Sequence, residues 1–320
     1  MSAAAAPLEL PPLPMRQGFM PMSELIDLYE QRYEGRDTSR MQRVDWWRRQ
    51  VGAIALQDLS DDHVAACLEA LKQQPNRYFA GLDADGKRIY KARPNKTLAP
   101  ATINRYATTL GGIVTWAIRR RIAPKGFVHP CRGVERMPEN NGKTRFLSDD
   151  ERVNLLAACK AARWPRLYVL VLMALTTGAR KGELLGLRWA DIDLDRAEAL
   201  LIATKNGDSR VLPLVPAVVA ELQRFKASGK ALVFASPRDP VRAFSFAGQF
   251  DEALHSAKVK GVTFHTLRHS AASILAKNGA TLLEIADLLG HRQLQMTKRY
   301  AHLATSHKAA LVNRILGGMT

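Results

Sequence analysis

One stretch concentrates the side chains able to do chemistry. Residues 265–300 read HTLRHSAASILAKNGATLLEIADLLGHRQLQMTKRY. His265 and Arg268 stand three apart and share one face of a helix. His291 follows Leu288, Leu289 and Gly290, and Tyr300 lies nine residues further on. A phenol of pKa about 10 becomes a nucleophile once its proton is taken. Two imidazoles and a guanidinium can donate to an oxyanion. The set suits attack on a centre whose oxygens gain negative charge in the transition state.

The elements that must position these groups are legible around them. Ala272, Leu275 and Ala276 continue an apolar stripe behind Arg268, and Gly279 marks a helix stop. Thr281 reads as the cap of a second helix carrying Leu282, Ile285, Leu288 and Leu289, which stops at Gly290. Tyr300 falls on a short polar helix, 293–301. Upstream, Ser148 and Glu151 form a capping box. Residues 167–177 are apolar on nearly every side, which predicts a buried helix broken at Gly178. A third helix carries Arg180, Glu183, Leu184 and Leu187. Three β-prone runs follow at 191–194, 199–203 and 210–214. The turn at Asn206-Gly207 is a strong hairpin signal. Helices are expected near 216–227 and 242–257, and a last one over 306–316 with Ala309, Ala310, Val312, Ile315 and Leu316 on its apolar side.

The first 122 residues have a different character. Residues 1–20 are Ala/Pro-rich and expected to be disordered. Helical spacing predicts four helices within 21–122: from Ser23, about 40–53, after the cap Ser60, and about 101–121. Arg43, Arg48 and Arg49 are expected to point outward from the second. Thr102, Asn104 and Arg105 open the fourth, and Arg119, Arg120 and Arg121 close it. Residues 75–97 read as a long basic loop, or as a hairpin turning around Asp85-Gly86. Within it, Gly81–Lys87 fits G-x-x-x-x-G-K, but Arg88 stands where a metal-binding hydroxyl is needed and no buried strand precedes it. A solvated turn is the better reading. Residues 123–144, rich in Pro and Gly, read as a linker, with Lys143 and Arg145 at its end.

Composition supplies the partner class. Lys and Arg number 47 against 30 acids, a formal charge of +17 on 320 residues. That balance fits a polyanion. The arginine clusters, Thr102, Asn104, Lys143 and Arg145 are the candidate phosphate contacts. The three cysteines are far apart and odd in number, which fits a reducing compartment and offers no metal-ligand spacing. No membrane-spanning run and no signal peptide are expected.

The 265–300 stretch resembles the tyrosine recombinases (phage integrases), whose signature is H-x-x-R, then L-G-H, then Y. The family also uses an Arg on an earlier helix and a Lys on a β-turn. Arg180 in TTGARKGELLGLRW and Lys205 in ATKNGDSRVLPL match those places, and the resemblance covers roughly 145–316. It implies a mainly α fold with a small antiparallel β-sheet. An N-terminal four-helix core-binding (SAM-like) domain would precede a mixed α/β catalytic domain, 145–320. It implies a site-specific recombinase that cuts and rejoins double-stranded DNA through a 3′-phosphotyrosyl ester, with no metal, cofactor or ATP. Tyr300 would attack phosphorus, and Arg180 and Arg268 would hold two non-bridging oxygens. His265 would take the tyrosine proton, His291 would donate to phosphate, and Lys205 would protonate the leaving 5′ oxygen. Glu183, one turn from Arg180, is read as orienting it, and His269 as structural. The resemblance also implies a tetramer at synapsis, and the apolar face of the 306–316 helix, lying after the site, is expected to dock on an adjacent protomer. Accessory DNA-bending proteins and a nucleoid-associated place in the bacterial cytoplasm belong to the same expectation. Two rivals stay open: a type IB topoisomerase acting as a monomer, and a binding-only basic protein with a dead site.

Overall fold

A computed structural model describes residues 19–35, 37–83, 85, 88–139, 145–202, 209–227, 229–304 and 312–317. The chain divides into two compact units, Met1–Asn140 and Asn141–Thr320. The disorder expected for 1–20 falls outside the described residues up to 18. Met20 is buried, and its carbonyl accepts from the Leu56 amide at 2.8 Å.

In the first unit the helices are α1 (Met22–Gln31), α2 (Thr38–Val51), α3 (Asp61–Lys72) and α4 (Pro100–Arg119). Local chemistry starts each of the last three. The Asp37 side chain accepts from the Ser39 amide, and Ser60 makes a capping box with His63. Pro100 sits in the first turn of α4, where its missing N–H costs nothing. Leu25, Ile26, Val44, Trp47, Leu71, Leu110 and Ile113 are completely buried between the helices. The basic loop expected between α3 and α4 is an antiparallel hairpin, β1 (Pro75–Leu82) and β2 (Arg88–Thr97). The four-helix reading therefore needs this ribbon added.

The linker reading needs correction. Most of 123–144 belongs to the first unit: Ala123 and Cys131 are buried, and Phe127, Val134 and Met137 pack on the helical core. Asn104 explains why. Its Nδ2 donates to the Met137 carbonyl at 2.9 Å and its Oδ1 accepts from the Met137 amide at 3.0 Å. An Asn at 9 % exposure that bonds backbone in both directions is a clasp, not a DNA contact.

Two of the outward arginines turn out to be engaged as well. Arg43 is only 14 % exposed; its Nε donates to Thr109 Oγ1 at 3.0 Å and its Nη2 to Asp37 at 2.7 Å. Arg48 is held by Asp27, Glu30 and Asp45 together. Arg49, Arg105 and Arg119–Arg121 are exposed, and Thr102 is half-buried. Lys143 lies outside the described residues.

The second unit opens with α5 (Asp149–Lys160), capped by the expected Ser148–Glu151 box. Arg145 is spent there: its Nη1 donates to Glu151 Oε2 at 2.9 Å. Next come α6 (Leu167–Thr177) and α7 (Lys181–Gly186), then β3 (Ile192–Asp193), β4 (Glu198–Leu201) and β5 (Arg210–Pro213). The three strands form one antiparallel sheet in that order. α8 (Pro216–Gln223) leads to a second hairpin, β6 (Ala235–Ser236) and β7 (Asp239–Ala243), and then to α9 (Ala247–Ser256). The helix expected over 242–257 thus starts five residues late, because Pro237 and Pro240 bracket a turn and commit the next few residues to a strand. α10 (Phe264–Lys277) and α11 (Leu282–Leu289) come next, with Thr281 capping α11 and Gly290 ending it. The expected helix around Tyr300 is two 3-10 turns, Leu294–Met296 and Lys298–Ala304. Residues 312–316 are helical. Among the described residues no helix is long and apolar enough to cross a membrane.

α6 is the spine of this unit: Leu167, Leu170, Val171 and Met173 are fully buried. It ends at Gly178, which adopts φ 62° and ψ 15°. A Cβ at Gly178 would lie 2.3 Å from Leu289 Cδ2 on α11. Left-handed backbone and a closed neighbour both require glycine. Gly178→Ala should destabilise the second unit by about 2–4 kcal/mol, adding backbone strain to overpacking. Urea unfolding of the full chain checks this, and a shift within about 0.5 kcal/mol would refute the account.

Candidate active site

α10 delivers His265, Arg268 and His269 from one stretch of helix. Thr263 caps it, and burial of Phe264, Leu267, Ala271 and Ala272 orients it. Arg268 is 4 % exposed, and its Nη1 donates to the carbonyl of Gly178 at 2.8 Å. The glycine that ends α6 therefore also anchors this guanidinium. Burial, then the nearby Arg180, bring the Arg268 pKa down to about 10, so it remains a cation at neutral pH.

Arg180 is the N-cap of α7 rather than a residue within it. Its Nη1 donates to Glu183 Oε1 at 2.7 Å and its Nη2 to the Gly290 carbonyl at 3.2 Å. The second bond ties Arg180 to the end of α11, next to His291. Glu183 also accepts from the Arg180 amide at 2.7 Å. Its other partner is Arg210, at the start of β5, whose Nη2 and Nη1 approach the two oxygens at 2.8 and 3.2 Å. Burial alone would raise the Glu183 pKa. The bonds from Arg210 and Arg180 outweigh it and hold the carboxyl below its usual range. The orienting role expected of Glu183 is geometrically apt, with Arg210 as a second arginine held by the same carboxylate.

His291 follows the left-handed Gly290, and its Nδ1 lies 2.8 Å from Oγ1 of the fully buried Thr297. Burial first, then Arg268, Arg180, Arg299 and Arg210, bring its pKa down to about 4. The same causes lower His265: burial, then Arg268, Arg180 and Arg299. Both imidazoles are neutral at physiological pH. Among the described residues they stand near the guanidinium groups of Arg180, Arg210, Arg268 and Arg299 and the carboxylate of Glu183, a strongly cationic setting for an anion.

Tyr300 is 2 % exposed and packs with Ala272, Ala276, Ile285 and Leu289. Burial raises its pKa, with Arg299 and Arg268 pulling it partly back. Its hydroxyl lies 2.6 Å from Nδ1 of His269. His269, read from the sequence as structural, is thus the ring in contact with the phenol. That ring meets His265 edge-on at 4.7 Å between centroids. Its pKa is brought down to about 4 by burial, then by His265, Arg299 and Arg268. With the imidazole neutral and the phenol protonated, the hydroxyl can donate to Nδ1.

The structure thus brings together Arg180, Glu183, His265, Arg268, His291 and Tyr300. Lys205 lies outside the described residues. The sequence reading passed over Arg210, Thr297 and Arg299, and gave His269 a structural role only. His269 had a signal, since it shares a helix face with His265 at i+4. Arg210 had only its place four residues past Asn206-Gly207. Among the described residues no group of three or more His, Cys, Asp or Glu is placed to hold a metal ion.

Residues 145–307 match the sequence profile of the phage integrase family. The chain is 34 % identical over 176 residues to a shufflon-specific DNA recombinase of Escherichia coli, covering 55 % of this chain and 44 % of that protein. It is 28 % identical over 233 residues to the integrase of Escherichia phage P2, covering 71 % and 63 %. It therefore spans less than two thirds of either relative's own length. The integrase of transposon Tn1549, solved in complex with transposon right end DNA, shares the fold with a TM-score of 0.69. That likeness spans 92 % of this chain and 99 % of that one at 18 % identity. The profile match runs over just over half of the chain and takes in every residue of the site from Arg180 to Tyr300: the chain belongs to the phage integrase family, the tyrosine recombinases.

Proposed function

We propose that this chain is a site-specific DNA recombinase that cuts and rejoins duplex DNA through a phosphodiester bond to Tyr300. The observation that carries the reading is the gathering of Arg180, Arg268, His265 and His291 about a phenol already hydrogen-bonded to a neutral imidazole. Tyr300 Oη attacks phosphorus, the bond to the 5′ oxygen breaks, and a 3′-phosphotyrosyl ester remains. The phenolic proton passes to His269 Nδ1, the nearest base at 2.6 Å, rather than to His265. Arg180 and Arg268 bind the non-bridging oxygens, where fixed positive charge stabilises the transition state more than any other single effect. His291 donates to phosphate from the nitrogen that Thr297 leaves facing outward. Lys205 protonates the departing 5′ oxygen. Charge neutralisation is assigned to guanidinium groups, with no metal and no ATP, because the ester conserves the energy needed for rejoining.

The reading extends to assembly. Residues 312–316 leave Val312, Ile315 and Leu316 at 53 %, 61 % and 51 % exposure, an apolar helix face available to a neighbouring copy in a synaptic tetramer. Bending proteins and a place on the bacterial nucleoid belong to the same proposal.

A denaturation-resistant protein–DNA adduct is the primary test. Tyr300→Phe should leave duplex affinity within about twofold, since a buried hydroxyl adds little to phosphate contact. It should form no adduct on gels run in detergent. An adduct persisting in that variant would move the nucleophile elsewhere.

His269 as proton acceptor makes a statement about pH. The kcat/KM profile reports groups of the free enzyme. For a base of pKa about 4, cleavage should be nearly level from pH 8 to about 5 and fall below that as the imidazole protonates. His269→Gln should lose about 10²–10⁴-fold and instead climb with pH, because the phenol must then ionise unaided. An unchanged profile in this variant would return His269 to a packing role.

Lys205→Ala should slow cleavage by about 10²–10⁴-fold on ordinary DNA and approach wild type when sulfur replaces the bridging 5′ oxygen. Arg180→Ala and Arg268→Ala should stay impaired with sulfur. A Lys205→Ala defect that survives sulfur substitution would mean the acid is another group.

A further inference from the structure

The β1–β2 hairpin is a conspicuous element that the site leaves unexplained. Its strands run 8 and 10 residues, so the ladder is about 26 Å long at about 3.3 Å per residue. It builds no core. None of the described side chains of 75–97 enters the buried cluster of the first unit, and Arg77, Tyr78 and all of 89–97 are exposed. A lone two-stranded hairpin is marginal in water. Here it nevertheless holds Tyr78, Ile89 and Tyr90 at 41 %, 39 % and 43 % exposure.

Its charge is one-sided. The strands contain Arg77, Arg88, Lys91, Arg93 and Lys96 and no acid; Asp83 and Asp85 lie in the connection. Tyr78 pairs with Lys91 across the ladder, and alternation puts Ile89 and Arg93 on that same face. The Arg93 guanidinium sits 5.4 Å from the centre of the Tyr78 ring, which braces the fork. Another protein strand is a poor occupant. Two register shifts interrupt the ladder, and Pro94, a left-handed Asn95 (φ 55°) and edge lysines and arginines block strand addition. A twisted ribbon carrying basic and aromatic side chains matches the major groove of B-DNA, about 12 Å wide, whose guanine edges accept from Arg and Lys.

We propose that this hairpin is a DNA-docking ribbon that enters the major groove of duplex DNA, with Lys91 and Arg93 as its principal contacts. The inference rests on the reading of the chain as a DNA recombinase.

The test uses the full chain and a 40-base-pair duplex of mixed sequence. A second duplex has the same sequence but glucosylated hydroxymethylcytosines, whose sugars fill the major groove. Lys91→Ala/Arg93→Ala alters only exposed side chains. On the plain duplex it should weaken binding about 10–100-fold and lower the slope of log affinity against log salt by about 2. On the glucosylated duplex the deficit should shrink to about twofold or less, because the ribbon is already excluded there. No deficit on plain DNA overturns the proposal. An equal deficit on both duplexes overturns the groove placement, since phosphate contact outside the groove would be indifferent to the sugars. Tyr78→Ala, which unbraces Arg93, should reproduce part of the plain-duplex deficit, and full wild-type affinity would count against the ribbon face. If the unaltered chain binds neither duplex and forms no adduct, the recombinase reading fails first. If it binds and cleaves while the variants match it, only the ribbon fails.

Discussion

The half-buried carboxylate of Glu183 is what the arrangement of the second unit depends on. At 9 % exposure it accepts from the Arg180 side chain, the Arg180 amide and both terminal nitrogens of Arg210. One anion thereby links the start of α7 to the first residue of β5. Removing a partner from such a group leaves uncompensated charge in a poorly solvated place, at a cost of about 3–5 kcal/mol. Through Arg180 the linkage continues to the carbonyl of Gly290 and so to the end of α11. Two helices and a sheet are fastened at a point where three of the four guanidinium groups would otherwise repel each other.

That repulsion has a second outcome. Excess positive charge and burial act in the same direction on the histidines, since both disfavour the imidazolium. His265, His269 and His291 all have lowered pKa values for these joint reasons. Burial and cations act in opposite directions on Tyr300, and burial wins. The site therefore keeps neutral imidazoles beside a protonated phenol, and an arriving anion would relieve the electrostatic part of each shift.

Features governed by neighbours in sequence were legible. The Ser148–Glu151 and Thr281 caps, the stops at Gly178 and Gly290, and the all-round apolar α6 each follow from a few adjacent residues. Features decided by distant partners were not. Asn104 looked like a polar residue opening a helix, but it closes on Met137, 33 positions away. Arg43 and Arg48 carried the periodicity of a solvated face and were claimed by Thr109 and by three acids. Arg210 had no local mark of its pairing with Glu183, 27 positions back. The strand at 239–243 was hidden by apolar residues that also fit a helix, until Pro237 before it and Pro240 within it are weighed. The site residues were read by type and order; which imidazole touches the phenol depends on side-chain packing, and no spacing rule contains it.

Gly290 shows how tightly such a site limits change. It stands at φ 64° and ψ 52°, ends α11, and offers its carbonyl to Arg180. A Cβ there would lie 2.4 Å from Nη1 of Arg210, a guanidinium already committed to Glu183. Most crowded positions can be relieved by moving one neighbour. This one cannot, because the neighbour's displacement would release Glu183 and with it the restraint on Arg180. Position 290 therefore has no graded series of substitutions: the smallest side chain already meets every penalty at once, and a mutational path that alters the loop before His291 must go around it.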